Sequence, residues 1–470
     1  MHPDLLQKIA SDVFKATATR VTMLPASGSS RKYYRIEFSD GKTILAAENA
    51  EIRENKAFIA FAKHFRTEGL PVPEILHEQP DGRIYFQSDL GNTTLYEFLS
   101  ENGTESGVVK KLYKKAVDNL LRFQFCTPPD YSLCFPRDRF DRTSMMWDLN
   151  YFKYYFLKLA GIPFDEQLLE HDFSLFCDTL AGVPSDFFMY RDFQSRNIMV
   201  CEEELSFIDF QGGRRGALQY DVASLLYDAK ANLSNEFRNE ILEYYCNRLE
   251  ELHPELSEQF RTYFHHFVLL RIMQAFGAYG YRGYYEKKSH FLQSVPLAAA
   301  NLRHLLKIIE FGQEFPELEK VWTYISDKFT DSDSEKQENG ILQIDLSSFS
   351  YRKGYPSGSV DHGGGFVFDC RALPNPGREE RFKTHTGKDT DVIGWLDEKE
   401  AVSRFIQSCS DLVCLSVDNY LERKFGHLSV AFGCTGGQHR SVYCTEHLAE
   451  ILEKKYGSRI RILLTHRELS

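Results

Sequence analysis

From Thr330 to Gly340 the chain reads TDSDSEKQENG, a polar and acidic run without one large apolar side chain. Such a run reads as a linker, not as part of a packed core. The residues that follow, ILQIDLSSF, alternate and are β-prone, as the first strand of a new domain would be. We therefore place a boundary near residue 335, with one domain over 1–328, a linker over 329–340 and a second domain over 341–470. Charge supports the division. Beyond residue 340 basic and acidic side chains balance, so the net charge of −11 falls on the first part alone.

The first hundred residues mix strands and a helix. Tyr33–Phe38 and Thr43–Ala47 flank a Ser39-Asp40-Gly41-Lys42 turn and read as a hairpin. Glu54–Thr67 carries Phe58, Ile59, Phe61, Ala62 and Phe65 at helical spacing. Leu70-Pro71-Val72-Pro73 breaks that helix, and Ile84–Gln87 reads as a further strand. From about 104 to 325 the pattern is mostly helical, interrupted by a strand-loop-strand stretch at 187–211. A small β-rich lobe followed by a large helical lobe is the layout of kinase-like folds.

The chemistry lies in FFMYRDFQSRNIMVCEEELSFIDF, Phe187 to Phe210. Asp192 and Asn197 stand at the D-x-x-x-x-N spacing of a kinase catalytic loop. Ile198–Cys201 and Leu205–Ile208 read as short strands around an acidic turn, and Asp209 follows the second. Phosphoryl transfer needs a carboxylate to take the proton of the acceptor hydroxyl, which Asp192 supplies. It also needs hard oxygen ligands for Mg²⁺ on the nucleotide phosphates, which Asn197 and Asp209 supply. Gly41-Lys42-Thr43 imitates the end of a Walker A loop, but Ile36 stands where that pattern requires glycine.

With these residues in view, the stretch from roughly 10 to 325 resembles the aminoglycoside phosphotransferase family. Within it, the bacterial cell-wall kinases of N-acetylmuramate or N-acetylglucosamine are the most similar. The resemblance runs through SGSSRKYYRIEF, LPVP at 70–73, Ser88-Asp89-Leu90-Gly91, YRDFQSRNIM, IDFQGGRRGALQYDVASLLYDA and RIMQAFGAYGYRG. It implies a two-lobed kinase-like fold that uses ATP and Mg²⁺ on a sugar hydroxyl. Asp192 would be the base, and Asn197 and Asp209 the metal ligands. Ser27, Gly28, Ser29 and Ser30 would lie over the nucleotide phosphates, where small residues let backbone N–H groups approach. Asp89 would meet the nucleotide at the interlobe hinge, and Asp221 would brace the active-site loops. Two departures stand out. Tyr190 precedes Arg191-Asp192 where the family usually has histidine. The third strand, TILAAEN, contains no lysine for the α- and β-phosphates, for which Lys32 is a candidate substitute.

In the second domain, Leu428–Phe432 is β-prone and Ser441–Tyr456 has helical periodicity. Between them Cys434, Thr435, Gly436, Gly437, His439 and Arg440 form a loop that aims backbone N–H groups and a helix N-terminus outward. Arg440 adds a bidentate cation and His439 a titratable one, so the design suits an oxyanion, above all a phosphate ester. The same residues satisfy C-x5-R-S, the pattern of cysteine-dependent phosphatases, in which Cys434 would be the nucleophile. The domain also resembles the C-terminal domain of the RNase adaptor RapZ, over about 341–465. The shared blocks are LSSFSYRKGYP, FVFDCRALPNP, HTGKDTDV and FGCTGGQHRSV. That resemblance implies an α/β domain binding an amino-sugar phosphate such as glucosamine 6-phosphate, and small RNA as a further partner. Arg371, Arg378, Arg381, Lys383 and Lys388 cluster within 18 residues, as a phosphate-contacting patch would. His362, in an Asp-His-Gly-Gly-Gly loop, is a further candidate ligand residue.

Composition narrows the rest. A net charge of −11 argues against nucleic-acid or membrane binding by bulk charge. Ten cysteines without a C-x-x-C pair argue against a disulfide scaffold or zinc ribbon and fit a reducing cytoplasm. No signal peptide or transmembrane segment is expected. The leading reading is an ATP-dependent sugar kinase fused to a sugar-phosphate-binding domain. The alternative is an RNA-binding adaptor whose kinase-like lobe only senses nucleotide.

Overall fold

The computed structural model describes residues 3–25, 31–309, 314–330, 341–355, 365–423 and 425–469. The chain divides into two compact units, one of residues 1–281 with 297–327 and the other of residues 282–296 with 328–470.

The first unit begins with α1 (Pro3–Phe14), β1 (Ala18–Met23), β2 (Lys32–Phe38), β3 (Thr43–Glu48), α2 (Ile52–Thr67), β4 (Ile75–Glu78) and β5 (Ile84–Ser88). The strands form an antiparallel sheet in the order β1-β2-β3-β5-β4. The expected hairpin is β2–β3, paired from Lys32 opposite Glu48 to Glu37 opposite Thr43. One face of the sheet presents Tyr34, Ile36, Ile44, Ala46 and Phe86, which pack with Leu6 and Ala10 of α1. The sequence stripe of α2 is buried in full, and its Glu51 cap accepts the Arg53 N–H. These features make α2 the helix that closes the other side of the small lobe.

The helical lobe holds α3 (Leu95–Asn102), α4 (Gly107–Phe125), α5 (Arg142–Phe152) and α6 (Glu166–Ala181). Four short strands follow: β6 (Phe187–Met189), β7 (Ile198–Cys201), β8 (Glu204–Phe207) and β9 (Arg214–Gly216). They pair as two antiparallel ribbons, β6 with β9 and β7 with β8. After them come α7 (Gln219–Leu226), α8 (Asn235–Leu252), α9 (Pro254–Gly280), α10 (Val295–Ile308) and α11 (Pro316–Thr330). Helix α9 is apolar around most of its circumference because it runs through the lobe core, burying Phe260, Phe264, Phe267, Leu269, Leu270 and Phe276. Helix α5 widens at its end into a π-helical turn, Lys153–Leu157, a device that re-aims a helix by one residue.

The second unit carries β10 (Leu342–Ser350), β11 (Gly365–Asp369), α12 (Thr390–Asp397), α13 (Glu400–Glu422), β12 (His427–Cys434), α14 (Arg440–Tyr456) and β13 (Ile460–His466). Its sheet is parallel throughout, in the order β11-β12-β10-β13. The strands read apolar at Leu342, Ile344, Leu346, Leu428, Val430 and Phe432, and these pack with Val402, Val413, Leu448 and Leu452 of the helices. Parallel strands end together, so Ser350, Asp369, Cys434 and His466 share one edge. Ligands of open α/β sheets meet the protein at this carboxyl edge. The fold is thus kinase-like in the first unit and α/β in the second, as the sequence implied.

The close approach of α9 to the end of α5 depends on two glycines. A Cβ on Gly280 would lie 2.1 Å from the Tyr155 carbonyl oxygen, and one on Gly277 would lie 2.7 Å from the Tyr151 ring. Gly280→Ala is therefore expected to destabilise the protein by about 1–3 kcal/mol. Urea denaturation measures this, and an unchanged midpoint would contradict the packing described.

Candidate active site and anion loop

The candidate catalytic loop leaves β6 at Tyr190 and turns at Arg191, whose φ is 79°. A side chain in this left-handed region costs about 1–3 kcal/mol and persists only where neighbours hold it. The holder is Asp221, buried in the first turn of α7. Its Oδ2 accepts the Tyr190 N–H at 2.6 Å and its Oδ1 the Arg191 N–H at 2.8 Å. Burial pushes the Asp221 carboxyl up to about 7, against the pull of those two donors. The Arg191 guanidinium turns away from the cleft, donating to both oxygens of Asp148 on α5 at 3.0 and 3.2 Å. It lies over the rings of Phe140 and Tyr220. Tyr190, which replaces the expected histidine, donates its hydroxyl to the Ile208 carbonyl at 2.6 Å. It thereby ties the catalytic loop to the residue before Asp209.

The structure brings Asn197 and Asp209 together beside Asp192. Asn197 Nδ2 donates to the Asp192 carbonyl at 2.8 Å and to Asp209 Oδ2 at 3.2 Å. Asp209, at a φ of 69°, accepts from Gln211 Nε2 through its Oδ1 at 2.6 Å. Burial, and after it the Asp192 carboxylate, push the Asp209 carboxyl up to about 6; Gln211 and the Arg31 guanidinium oppose the rise. A half-buried carboxylate with an amide and a second carboxylate at its side is the oxygen-rich donor set a hard divalent cation takes. Such a cation would relieve the unfavourable charge that raises Asp209. The residues present therefore fit one, with Asn197 and Asp209 as the side chains to hold it.

Asp89, expected to meet nucleotide, sits just after β5 with its carboxylate engaged by Arg35 of β2 at 2.6 and 2.9 Å. Arg35 also donates to the Gly91 carbonyl at 3.0 Å, so it fastens the hinge to the sheet. Ser27, Gly28, Ser29 and Ser30 lie outside the described residues, as does His362. Lys32, the suggested substitute cation, is exposed and stands opposite Glu48. By strand alternation it shares the face of Tyr34, which packs on α1, and so leaves the sheet away from the cleft. Arg31, which the sequence reading passed over, is the arginine that acts on Asp209.

In the second unit the predicted loop residues stand together between β12 and α14. Cys434 ends β12 beside Ser350, its partner on β10. Its sulfur accepts the Gly437 N–H at 3.1 Å and lies 3.2 Å from Ser441 Oγ. Gly437 takes a φ of +73°, and a Cβ there would collide with Glu468. Thr435 and Gly436 are exposed at the tip, with the Thr435 carbonyl held by Ser350 Oγ at 2.7 Å. His439 Nε2 donates to the Phe382 carbonyl at 2.8 Å. Arg440 is buried, and its Nη1 donates to the carbonyls of Arg371 and Leu373 at 2.9 Å each. Its Nε is buried without a hydrogen-bond partner among the described residues. An exposed glycine turn at the start of a 17-residue helix, backed by a buried guanidinium, can receive an anion. The groups it presents are those of the exposed tip and not the Cys434 thiol, which is 3% exposed. The neighbouring basic residues are largely neutralised: Arg371 pairs with Asp369, Arg381 with Glu379, Lys383 with Glu380 and Lys388 with Glu446. All ten cysteines are free thiols, and among the described residues no helix is long and apolar enough to cross a membrane.

Comparison with known proteins gives a separate match to each part of the chain. Residues 21–258 match the family model described as the phosphotransferase enzyme family. Residues 342–470 match the RapZ C-terminal domain. A nucleotide-binding protein of Acidobacterium capsulatum is 33% identical over 168 residues, covering 36% of this chain and 50% of that protein. One from Ruegeria sp. (strain TM1040) is 41% identical over 128 residues, covering 27% of this chain and 40% of that protein. The chain thus spans half or less of the length of these curated relatives. Among solved structures, the amicoumacin kinase hAmiN in complex with AMP-PNP, Ca²⁺ and Ami aligns with a TM-score of 0.44 and 14% identity. That alignment covers 69% of this chain and 93% of that one.

The raised carboxyls of Asp209 and Asp221 imply a pH dependence of the fold. Both are raised in the folded state, to about 6 and about 7. Above about pH 4 the unfolded chain has released these protons while the folded chain keeps them. Stability contributed here is therefore present at low pH and lost as pH rises through 6 and 7. Asp209→Asn is expected to flatten the decline between pH 5 and 7 in urea denaturation, and a variant as steep as the parent would refute the assignment.

Proposed function

We propose that this chain, which belongs to the phosphotransferase enzyme family, transfers the γ-phosphoryl group of ATP to a hydroxyl of an amino sugar such as N-acetylmuramate or N-acetylglucosamine. The observation that carries the reading is the meeting of Asp192, Asn197 and Asp209 in one braced cleft. Asp192 accepts the proton of the attacking hydroxyl. Asn197 and Asp209 would hold Mg²⁺, which would supply charge screening for the nucleotide phosphates. Asp221 keeps Arg191 in its strained conformation, so that Asp192 is set before substrate arrives. Arg35 and Asp89 fix the hinge at which the base would be seated.

The amino-sugar assignment is supported by the attached RapZ C-terminal domain. We assign its anion loop, Cys434 to Arg440, to an amino-sugar phosphate. Thr435, Gly436 and Gly437 would offer backbone N–H groups, and His439 and Arg440 positive charge. Both units then handle one class of metabolite. The pairing of most basic residues near the loop favours this reading over an RNA adaptor.

Two measurements test the assignments. With Mg·ATP and a panel of amino sugars, phosphorylated product should form, and Asp192→Ala should lower turnover by about 10²–10⁴-fold. Asp192→Ala should also leave Mg·ATP affinity nearly unchanged in calorimetry. Absence of product on every sugar by the parent protein would end the kinase assignment. Glucosamine 6-phosphate should bind the full chain. Placing a branched side chain at the loop tip by Gly436→Val, where a Cβ meets nothing within 4 Å, should weaken binding by about tenfold or more through the lost backbone approach. Equal affinity in parent and variant would remove the loop from the site.

A further inference from the structure

Helix α9 runs through the apolar core of the helical lobe, yet it carries an arginine in its middle. Arg271 is 7% exposed and stands between Leu270 and Ile272, both buried. From it a stripe at helical spacing, Gln274, Ala275, Ala278 and Tyr279, is only partly buried. The other faces of the same turns, with Ile272, Met273, Phe276 and Gly277, are buried. The stripe therefore leaves the core for solvent, and Arg271 lies at its inner end.

Two hydrogen bonds aim the guanidinium. Nε donates to Ser224 Oγ of α7 at 2.9 Å, and Nη1 donates to Gln274 Oε1 one turn on. Ser224 Oγ in turn donates to the Arg191 carbonyl at 3.5 Å. That carbonyl belongs to the peptide joining Arg191 to Asp192, so one hydroxyl separates Arg271 from the backbone that carries the candidate base. Tyr220, one turn before Ser224, shares this neighbourhood. Burial pushes its hydroxyl up to about 12, Arg191 and Arg271 draw it down, and Asp148 and Asp192 add to the rise.

Both partners of Arg271 are neutral. The carboxylates around the loop are each engaged elsewhere: Asp148 by Arg191, Asp228 by Arg196, and Asp221 by the Tyr190 and Arg191 N–H groups. Among the described residues Arg271 forms no ion pair, and its Nη2 makes no hydrogen bond. A structural arginine at this depth is expected to be paired, as Arg191 and Arg196 are. A buried guanidinium without an anion is costly, and an anion brought by a bound molecule removes that cost.

We infer that Arg271 receives a carboxylate carried by the acceptor, so that the acceptor of this cleft is an anionic sugar. The inference rests on the reading of the cleft as a sugar-kinase site. Of the two sugars proposed above, N-acetylmuramate carries a carboxylate on its lactyl ether and N-acetylglucosamine is uncharged. Arg271 is then the residue that tells them apart. An anionic acceptor must approach Asp192 and the nucleotide phosphates, all of its own sign, and a cation beside them offsets that repulsion.

The test is steady-state phosphoryl transfer by the full chain with Mg·ATP, comparing the two sugars. The parent should favour N-acetylmuramate by about tenfold or more in kcat/KM. Arg271→Met should lower that ratio by about 10- to 100-fold, most of it through KM for N-acetylmuramate. Arg271→Lys should restore part of the preference. Gln274→Met, at a partly buried position, should lower the ratio by about 3- to 10-fold and serves if Arg271→Met fails to fold. A change of equal size on both sugars in every folded variant is the mark of a structural arginine. It would overturn the inference and leave the kinase assignment standing, as would a parent indifferent to the lactyl group. If neither sugar turns over, calorimetry decides. Arg271-dependent binding of N-acetylmuramate would then support the inference and end the kinase assignment, and a parent that binds neither sugar would overturn both.

Discussion

The first unit depends on one carboxylate. Asp221 is buried, and an ionised carboxylate removed from water without partners would cost several kcal/mol on the order of an unpaired buried charge. It is stabilised by two successive main-chain donors, Tyr190 and Arg191. Those bonds fix the turn that aims Asp192 and hold Arg191 at a φ of 79°. Each further tie depends on that turn. Arg191 reaches Asp148, Tyr190 reaches Ile208, and Asn197 reaches both the Asp192 carbonyl and Asp209. Removing Asp221 would release the strained backbone rather than delete a single contact.

How far the sequence discloses the site depends on how local each constraint is. Asp192, Asn197 and Asp209 lie within 18 residues, and the two short strands between them leave little freedom for their meeting. Their convergence is therefore legible from spacing. The hairpin and the amphipathic helix beside it follow from alternation and helical periodicity, for the same reason. Arg31 is different, because its pairing with Glu54 arises only when β2 is laid against α2 and the two side chains come within 3.4 Å. One signal was available. Tyr34, Ile36 and Phe38 alternate as the apolar face of β2, so odd-numbered residues, not Lys32, look toward the cleft.

The second unit teaches the complementary lesson. Its loop is readable because a glycine turn between strand and helix is a local device. The basic segment from Arg371 to Lys388 reads as a charged patch only while its acidic neighbours are ignored. Asp369–Arg371 and Glu379–Arg381 close as pairs two residues apart, and Lys388 crosses to Glu446 on α14. Arg440 looks in sequence like a cation aimed at a ligand. In the fold half of its guanidinium clasps the carbonyls of Arg371 and Leu373, so the loop is held by the same side chain that lends it charge.

The stack of Phe58 on Phe210 deserves its mechanical reading. Phe58 belongs to a helix of the small lobe, and Phe210 is the backbone neighbour of Asp209 in the large lobe. Phe65 of the same helix meets both Phe210 and Phe188 edge-on. A rotation of α2 away from the large lobe would shear these rings apart and drag on the peptide that carries Asp209. The orientation of α2 and the placement of Asp209 are thereby linked through packed rings.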